Sequence, residues 1–316
     1  MSRLIAHAGV AIGGKRVAIL GTGGTAKTAK GVLTHLGARE ILTVSRTAKD
    51  GAIDYKELND RKGEIEVIVN TTPVGMFPKT DAAPVSLEGF DALVGVIDAV
   101  YNPISTKLVL DARARGIAAE GGLYMLVGQA VRAAELFTGE PIDNEEIERI
   151  YRSVLRKKQN IVLVGMPGVG KSTVGRDLGR ALGRTVLDTD AILKSRIGDI
   201  PSFIKENGEA AFRDEESRVI AEIASSTSSV VATGGGAVLR QENVNHLLQN
   251  GRVYFLDRPL DDLKVYENRP LSSTREALEA RYRERYPIYS RIAEVTVSGT
   301  RTREQCVRTI LEDFTK

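Results

Sequence analysis

The sequence has 316 residues, of which 42% are apolar and 27% charged, a balance that suits two globular domains, each with its own core. A formal charge of +3, spread along the chain, gives no reason to expect a nucleic-acid or anionic-membrane partner. A single cysteine, Cys306, excludes an internal disulfide, and the N-terminus and the absence of an 18-residue apolar run argue against a signal peptide or membrane span, so a cytoplasmic enzyme is expected.

Met1–Val10 carries Leu4, Ile5 and Ala8 at helical spacing. Through Gly13 and Gly14 it leads into a strand over Arg16–Leu20 and then into Gly21-Thr-Gly23-Gly24-Thr25-Ala26, with a helix expected over Lys27–Leu36. This is the G-x-G-x-x-(G/A) order of a dinucleotide loop: the first glycine turns, the second lets a pyrophosphate approach, and a small third residue lets helix and strand pack. The next strand, Glu40–Val44, ends in Ser45-Arg46-Thr47 with no acidic residue before Asp50. A guanidinium flanked by hydroxyls suits a ribose 2′-phosphate, which points to NADP rather than NAD; a solvated basic turn is the alternative. Strands over Ile65–Val69 and Leu93–Ile97 follow, with the loops NTTPVGM (70–76) and DAVYNP (98–103) at the carboxyl ends where a doubly wound sheet binds ligands.

Taken with GGLYMLVGQA (121–130), these motifs resemble the C-terminal, NADP-binding domain of shikimate dehydrogenase over roughly residues 1–140. The resemblance implies a Rossmann-like domain in which Gly21, Gly23, Gly24, Thr25, Ala26, Ser45, Arg46, Thr47, Thr71, Gly122 and Met125 meet NADP. Tyr101 and Gln129 match that family's cofactor-side substrate contacts. The family's substrate domain, with its catalytic base, has no counterpart in this chain. The first half is therefore expected to bind NADP without oxidising shikimate, unless a separate shikimate-binding domain supplies the rest. Exposed apolar surface is expected where that domain would dock.

Helices are expected over Gly128–Phe137 and Asn144–Lys158, the second acidic at its start and basic at its end. The domain boundary is set at the end of the latter, giving 1–157 and 158–316. A strand over Ile161–Val164 then runs into Gly165-Met-Pro-Gly168-Val169-Gly170-Lys171-Ser172-Thr173 and a helix over Val174–Leu182. This is a phosphate-gripping loop: its backbone cradles the nucleotide, Lys171 reaches the β- and γ-phosphates, and the Ser172 hydroxyl serves Mg2+. A glycine-rich turn without a ligand is the alternative.

A strand over Thr185–Leu187 ends in Asp188-Thr-Asp190. One carboxylate can order Mg2+ through water while the other takes a hydrogen bond from a substrate hydroxyl; alternatively Asp190 caps the helix expected over Ala191–Arg196. Arg213 and Glu216 share a helix face, and Val230–Ala232 is a strand that runs into Gly234-Gly235-Gly236. Arg269 lies in a short polar loop, and 281–291 is basic with interleaved tyrosines, a pattern also compatible with nucleic-acid stacking.

In this order, GMPGVGKST, DTD, FRDEE, GGG, RPL and RYPIYSR resemble shikimate kinase over residues 160–316. The resemblance implies that Asp190 meets the ring hydroxyls and accepts the proton, and that Asp188 lies near the metal. It further implies that Arg213 and Arg285 grip the substrate carboxylate, Gly235 and Gly236 contact it through backbone, and Arg269 closes on the phosphates. Val265 stands where that family often has a basic residue against adenine, with Lys264 as its substitute. The fold expected is α/β throughout, a Rossmann-like doubly wound domain followed by a P-loop kinase domain with a parallel sheet. The activity expected is ATP- and Mg2+-dependent phosphorylation of shikimate at its 3-hydroxyl. Three rivals stand: a bifunctional dehydrogenase–kinase completed by another chain, a non-catalytic NADP-binding docking or regulatory module joined to the kinase, and a kinase for another small polyol acid.

Overall fold

Four of the five residues of Arg16–Leu20 are fully buried, a run that suits the middle of a parallel sheet covered on both faces, and in the computed structural model they form the strand β1. Residues 1–263, 274–298 and 302–316 are described. The chain divides into two units, Met1–Leu155 and Arg156–Lys316, so the division falls in the last turn of the helix Asn144–Lys158.

In the first unit β1 is joined by β2 (Glu40–Ser45), β3 (Ile53–Asp54), β4 (Val67–Asn70), β5 (Gly95–Asp98) and β6 (Ala118–Glu120). All neighbours are parallel, in the order β3-β2-β1-β4-β5-β6. The chain moves outward from β1 to β3 and then crosses back to β4, so the order reverses between β1 and β4 and a crevice opens at their carboxyl ends. Strand periodicity assigns the two cores: Val17 and Ile19 pack on the face with Leu33, Leu123 and Val131, whereas Ala18 and Leu20 pack on the other with Leu58, Phe90 and Leu108.

The second unit has β7 (Asn160–Val164), β8 (Thr185–Asp188), β9 (Ser229–Ala232), β10 (Gly251–Asp257) and β11 (Val295–Ser298), all parallel, in the order β11-β10-β7-β9-β8. Every residue of β7 is buried. Asn160 joins it because its amide donates to Ser226 O at 2.8 Å and its carbonyl accepts from Ser229 N at 2.9 Å, tying the start of β7 to the start of β9. The helical stretch Ile200–Ala224 is two helices, broken at Gly208, whose φ of 87° suits glycine alone.

Several helices begin earlier than apolar periodicity indicates: at Gly24 rather than Lys27, Leu123 rather than Gly128, Lys171 rather than Val174, and Thr189 rather than Ala191. Most of these first turns hold glycines or polar residues with little apolar face to count. The last of them corrects the capping assignment. Asp188, not Asp190, is the N-cap, its side chain accepting from Asp190 N at 3.1 Å and Ala191 N at 3.2 Å. Among the described residues no helix is long and apolar enough to cross a membrane.

Because each unit has its own cores, Ile19→Ala is expected to destabilise the first by about 3 kcal/mol through the cavity it leaves. In urea titrations read by proteolysis of each unit, cleavage of the first should move to lower urea while cleavage of the second stays in place.

Candidate active site

The chain leaves β7 through a turn only glycines can make: φ is 143° at Gly165, 85° at Gly168 and 100° at Gly170. A β-carbon on Gly165 would stand 2.6 Å from Leu256 O, so the loop is seated directly against the end of β10. Gly170 caps the helix Lys171–Leu182 and offers no side chain to its first N–H groups, the arrangement that receives an anion. Lys171 is only 7% exposed, and its ammonium donates to Gly165 O at 2.7 Å and Met166 O at 2.9 Å, drawn across the loop it serves.

Opposite this loop, β9 ends in Thr233 and three glycines. The Thr233 hydroxyl donates to Leu163 O at 2.9 Å, and Gly234 N donates to the Thr189 hydroxyl at 2.8 Å, fastening the turn to β7 and to the helix Thr189–Ile197. Each glycine makes room for a neighbour. A β-carbon at Gly234 would meet Asp190 Oδ1 at 2.5 Å and Glu216 Oε1 at 3.2 Å, one at Gly235 would meet the Pro167 ring at 2.7 Å, and one at Gly236 would collide with the Arg213 guanidinium. From behind, the Tyr289 hydroxyl donates to Gly235 O. Burial pushes that phenol's pKa well up, so it remains a donor.

The third wall is cationic. Arg213 Nη1 donates to Glu216 Oε2 at 2.6 Å, with side-chain exposures of 11% and 2%. Burial raises the Glu216 carboxyl above its ordinary range, opposed by Arg213 and assisted by the charge of Asp190. For Arg213 burial works against the charge, but Glu216 and Glu209 outweigh it and the guanidinium is held more firmly protonated than usual. Arg285 is 5% exposed at its side chain, and its Nε, 3.7 Å from Glu284 Oε2, has no hydrogen-bond partner among the described residues.

These walls enclose a cavity of about 450 Å³. Of the expected residues, Gly168, Gly170, Lys171, Ser172 and Thr173 line it on the loop side, and Asp190, Arg213, Gly235, Gly236 and Arg285 on the other. Val169 is absorbed into the core, Gly165 lies beneath the loop, and Asp188 is engaged as the helix cap. Arg269, Lys264 and Val265 lie outside the described residues. Glu216 joins this wall as more than a helix-face partner of Arg213, and Thr189, Tyr289 and Arg281, to which the motifs give no individual role, join it too. Tyr289 and Arg281 stand four residues either side of Arg285, on one face of the helix Arg275–Ile292, so helical spacing alone would have grouped them. Within 281–291, Arg285 and Tyr289 are buried.

In the first unit Gly21 leaves β1 with φ 112°, and a β-carbon there would meet Thr71 Oγ1 at 2.7 Å. That hydroxyl donates to Leu20 O at 2.6 Å. Gly23 and Gly24 face open space, and the helix Gly24–His35 has no side-chain cap, leaving its first N–H groups for a ligand. Ala26 is buried against the sheet, and Gly122 lies so close to Ala99 O that no β-carbon fits. A cavity of about 590 Å³ brings together Gly24, Thr25, Met125 and Gln129. Ser45 ends β2, with Arg46 and Thr47 following it, and Tyr101 is 44% exposed. Beneath this crevice the buried Asp98 accepts from Thr106 Oγ1 at 2.6 Å, Val100 N at 3.0 Å and Asn70 Nδ2 at 2.9 Å.

A phosphate loop closing a central parallel strand, facing a carboxylate and buried guanidinium groups across one cavity, defines the second unit as a P-loop phosphotransferase for a small anionic acceptor. The shikimate kinase family model matches residues 167–315. The shikimate kinase of Methylococcus capsulatus is 40% identical over 171 residues, 51% of this chain and 96% of that protein. The chain therefore belongs, through its second half, to the shikimate kinase family. Among solved structures, the shikimate kinase from Acinetobacter baumannii in complex with shikimate is 32% identical, covering 52% of this chain and 97% of that one, with a TM-score of 0.49. Shikimate dehydrogenase 1 from Peptoclostridium difficile is 33% identical, covering 48% of this chain and 58% of that one, with a TM-score of 0.43.

Asp98 supplies a pH prediction for the first unit. Burial, only partly offset by its three hydrogen bonds, raises its pKa from 3.8 to about 6. The folded state therefore binds the proton more tightly than the unfolded chain, and Asp98's contribution to stability falls as pH rises from about 4 to 6, by roughly 3 kcal/mol in all. An asparagine in its place can keep the three contacts, with its amide donating to the Thr106 hydroxyl, and does not titrate. Denaturation midpoints of Asp98→Asn should accordingly gain on those of the native protein across this window and hold a constant lead above it.

Proposed function

We propose that the second unit transfers the γ-phosphoryl group of ATP to the 3-hydroxyl of shikimate, and that the residues around its cavity divide the work by charge. The observation that carries the assignment is the pair of buried guanidinium groups, Arg213 and Arg285, facing the same cavity as the phosphate loop and Asp190. Two such groups at fixed positions hold a carboxylate and so orient the ring it is attached to. Asp190, across the cavity, accepts the proton of the ring hydroxyl as its oxygen bonds to the γ-phosphorus. The bond from that phosphorus to the β–γ bridging oxygen breaks, and ADP leaves carrying the electron pair. Lys171 exchanges its two loop carbonyls for the β- and γ-phosphate oxygens, and the uncapped N–H groups of the following helix hold the phosphate chain in line. The resemblance assigns Arg269, which lies outside the described residues, to the phosphates.

Mg2+ neutralises charge on the phosphates when it enters with ATP. Ser172, and Asp188 through water, are oxygen donors of the right hardness to hold it.

We further infer that the first unit binds NADP, the hydride carrier of the related chemistry. Gly21, Gly23, Gly24 and Thr25 would hold its pyrophosphate, Ser45, Arg46 and Thr47 its 2′-phosphate, and Thr71, Gly122 and Met125 the rest of the cofactor. The open space at Gly23 and Gly24 and the uncapped helix support this reading. The chain spans 58% of the length of the dehydrogenase from Peptoclostridium difficile. No residue near Tyr101 or Gln129 is assigned as a base, so we propose no hydride transfer by this chain alone. One observation favours completion by a separate shikimate-binding domain. Met76, Phe77 and Tyr101 are 44%, 46% and 44% exposed at the carboxyl ends of β4 and β5, and Phe77 N donates to Asn102 O at 3.0 Å, so their two loops abut in a shared apolar patch.

Two assays on one sample test the proposal: ADP release with shikimate and ATP·Mg2+, and NADPH formation with shikimate and NADP. ADP release alone is expected; NADPH formation would show that a base has been overlooked. Arg285→Ala should raise the KM for shikimate roughly 100-fold and leave the KM for ATP in place. An unchanged shikimate KM would move the acceptor to another polyol acid.

A further inference from the structure

Both terminal nitrogens of Arg213 are engaged by carboxylates of its own helix. Nη1 donates to Glu216 at 2.6 Å and Nη2 to Glu209 at 3.1 Å. The two partners differ in kind. Glu216 is 2% exposed and fixed on the buried face of its helix, whereas Glu209 is 51% exposed and is the first residue after the break at Gly208. On an exposed helix a Glu–Arg pair four residues apart is an ordinary surface ion pair. Here the arginine is 11% exposed and lines the cavity, so the pair lies at the edge of the site itself.

A third guanidinium lines the same cavity. Arg281 sits one turn before Arg285 on the helix Arg275–Ile292 and interacts electrostatically with Arg213, Arg285, Glu209 and Glu284. Three cations therefore converge on a space in which Glu216 is committed to one of them.

We propose that Glu209 is a resident carboxylate that satisfies Arg213 before substrate enters, gives way to the carboxylate of the substrate, and then pairs with Arg281. This inference rests on the reading of Arg213 as a substrate-carboxylate group. Leaving Arg213 half-satisfied in a buried wall would be costly, so Glu209 keeps the site intact between turnovers. The same contact competes with the incoming anion, and the break at Gly208 lets the start of the second helix move without unwinding it. Arg281 lowers the cost of the exchange by receiving the displaced charge. Glu209 and Arg281 are thus positioning residues that set substrate affinity, and neither takes part in phosphoryl transfer.

The test is a double-mutant cycle on the full chain, read by titration of shikimate and by steady-state kinetics. Glu209→Gln removes the competing charge and should lower the Kd and KM for shikimate by about three- to tenfold with kcat and the KM for ATP unchanged. Arg281→Ala should weaken shikimate binding by a similar factor in the native background and have no effect in Glu209→Gln. An unchanged or raised KM in Glu209→Gln overturns the proposal, because a purely structural ion pair would give that result. Equal weakening by Arg281→Ala in both backgrounds also overturns it, because Arg281 would then bind substrate itself. Arg213→Ala separates the two readings: if it leaves shikimate affinity unchanged, the assignment of Arg213 falls. If it abolishes binding while Glu209→Gln does not tighten it, only the exchange falls.

Discussion

Both units depend on one backbone constraint: the chain must leave the central strand of a parallel sheet through a conformation that only glycine adopts comfortably. At Gly21 φ is 112° and at Gly165 it is 143°, and at each a β-carbon would stand within 2.7 Å of an atom of the neighbouring strand end or its loop. Because no side chain intervenes, the backbone turns at once and a helix starts with its N–H groups uncapped over the end of the sheet. Two places suited to an anion follow from the same geometry. What differs is what stands opposite each.

In the kinase unit the opposite side is built by filling the space that glycine leaves. Gly234 admits Asp190 and Glu216, Gly235 admits Pro167, and Gly236 admits Arg213. Four elements of distant sequence thereby meet within one cavity with their polar groups joined: Thr189 to Gly234, Arg213 to Glu216, Tyr289 to Gly235. The charges are set by burial as much as by pairing. Burial favours neutral Glu216, and Arg213 opposes it, so breaking the pair would leave one buried charge without a partner. Of the two carboxylates paired with Arg213, Glu216 is buried and Glu209 is half-exposed.

The first unit presents the same loop and helix above a crevice whose floor is the hydrogen-bonded group Asn70, Asp98 and Thr106. Here the carboxyl ends of β4 and β5 carry an apolar and exposed surface, through Met76, Phe77 and Tyr101. A half-site of this kind can hold a cofactor by its phosphates, because backbone N–H groups suffice for that. Orienting a reacting carbon requires a second wall.

The sequence by itself determined the two loops and the strands β1, β2, β4, β5, β7, β8 and β9, whereas β3, β6, β10 and β11 came only with the structure. β1 was legible from a buried apolar run, and Gly165 to Lys171 from spacing that only an anion-binding turn requires. The parallel α/β character of both units followed, because such loops work only between a strand and a helix. Asp190, Arg213 and Arg285 were grouped by the resemblance to shikimate kinase, and the structure brings all three to one cavity although they lie far apart in sequence. Tertiary structure decided what each side chain is committed to. Asp188, and not Asp190, caps its helix, because the strand end turns earlier than apolar periodicity shows. Tyr289 became a support for Gly235 and Arg281 a third cation of the wall only once the helix Arg275–Ile292 had packed against the glycine turn. Glu209 stands four residues before Arg213, the spacing of an ordinary surface ion pair. Burial of Arg213 sets the pair apart, because local spacing fixes which side chains are neighbours, while burial fixes how much each of those contacts matters.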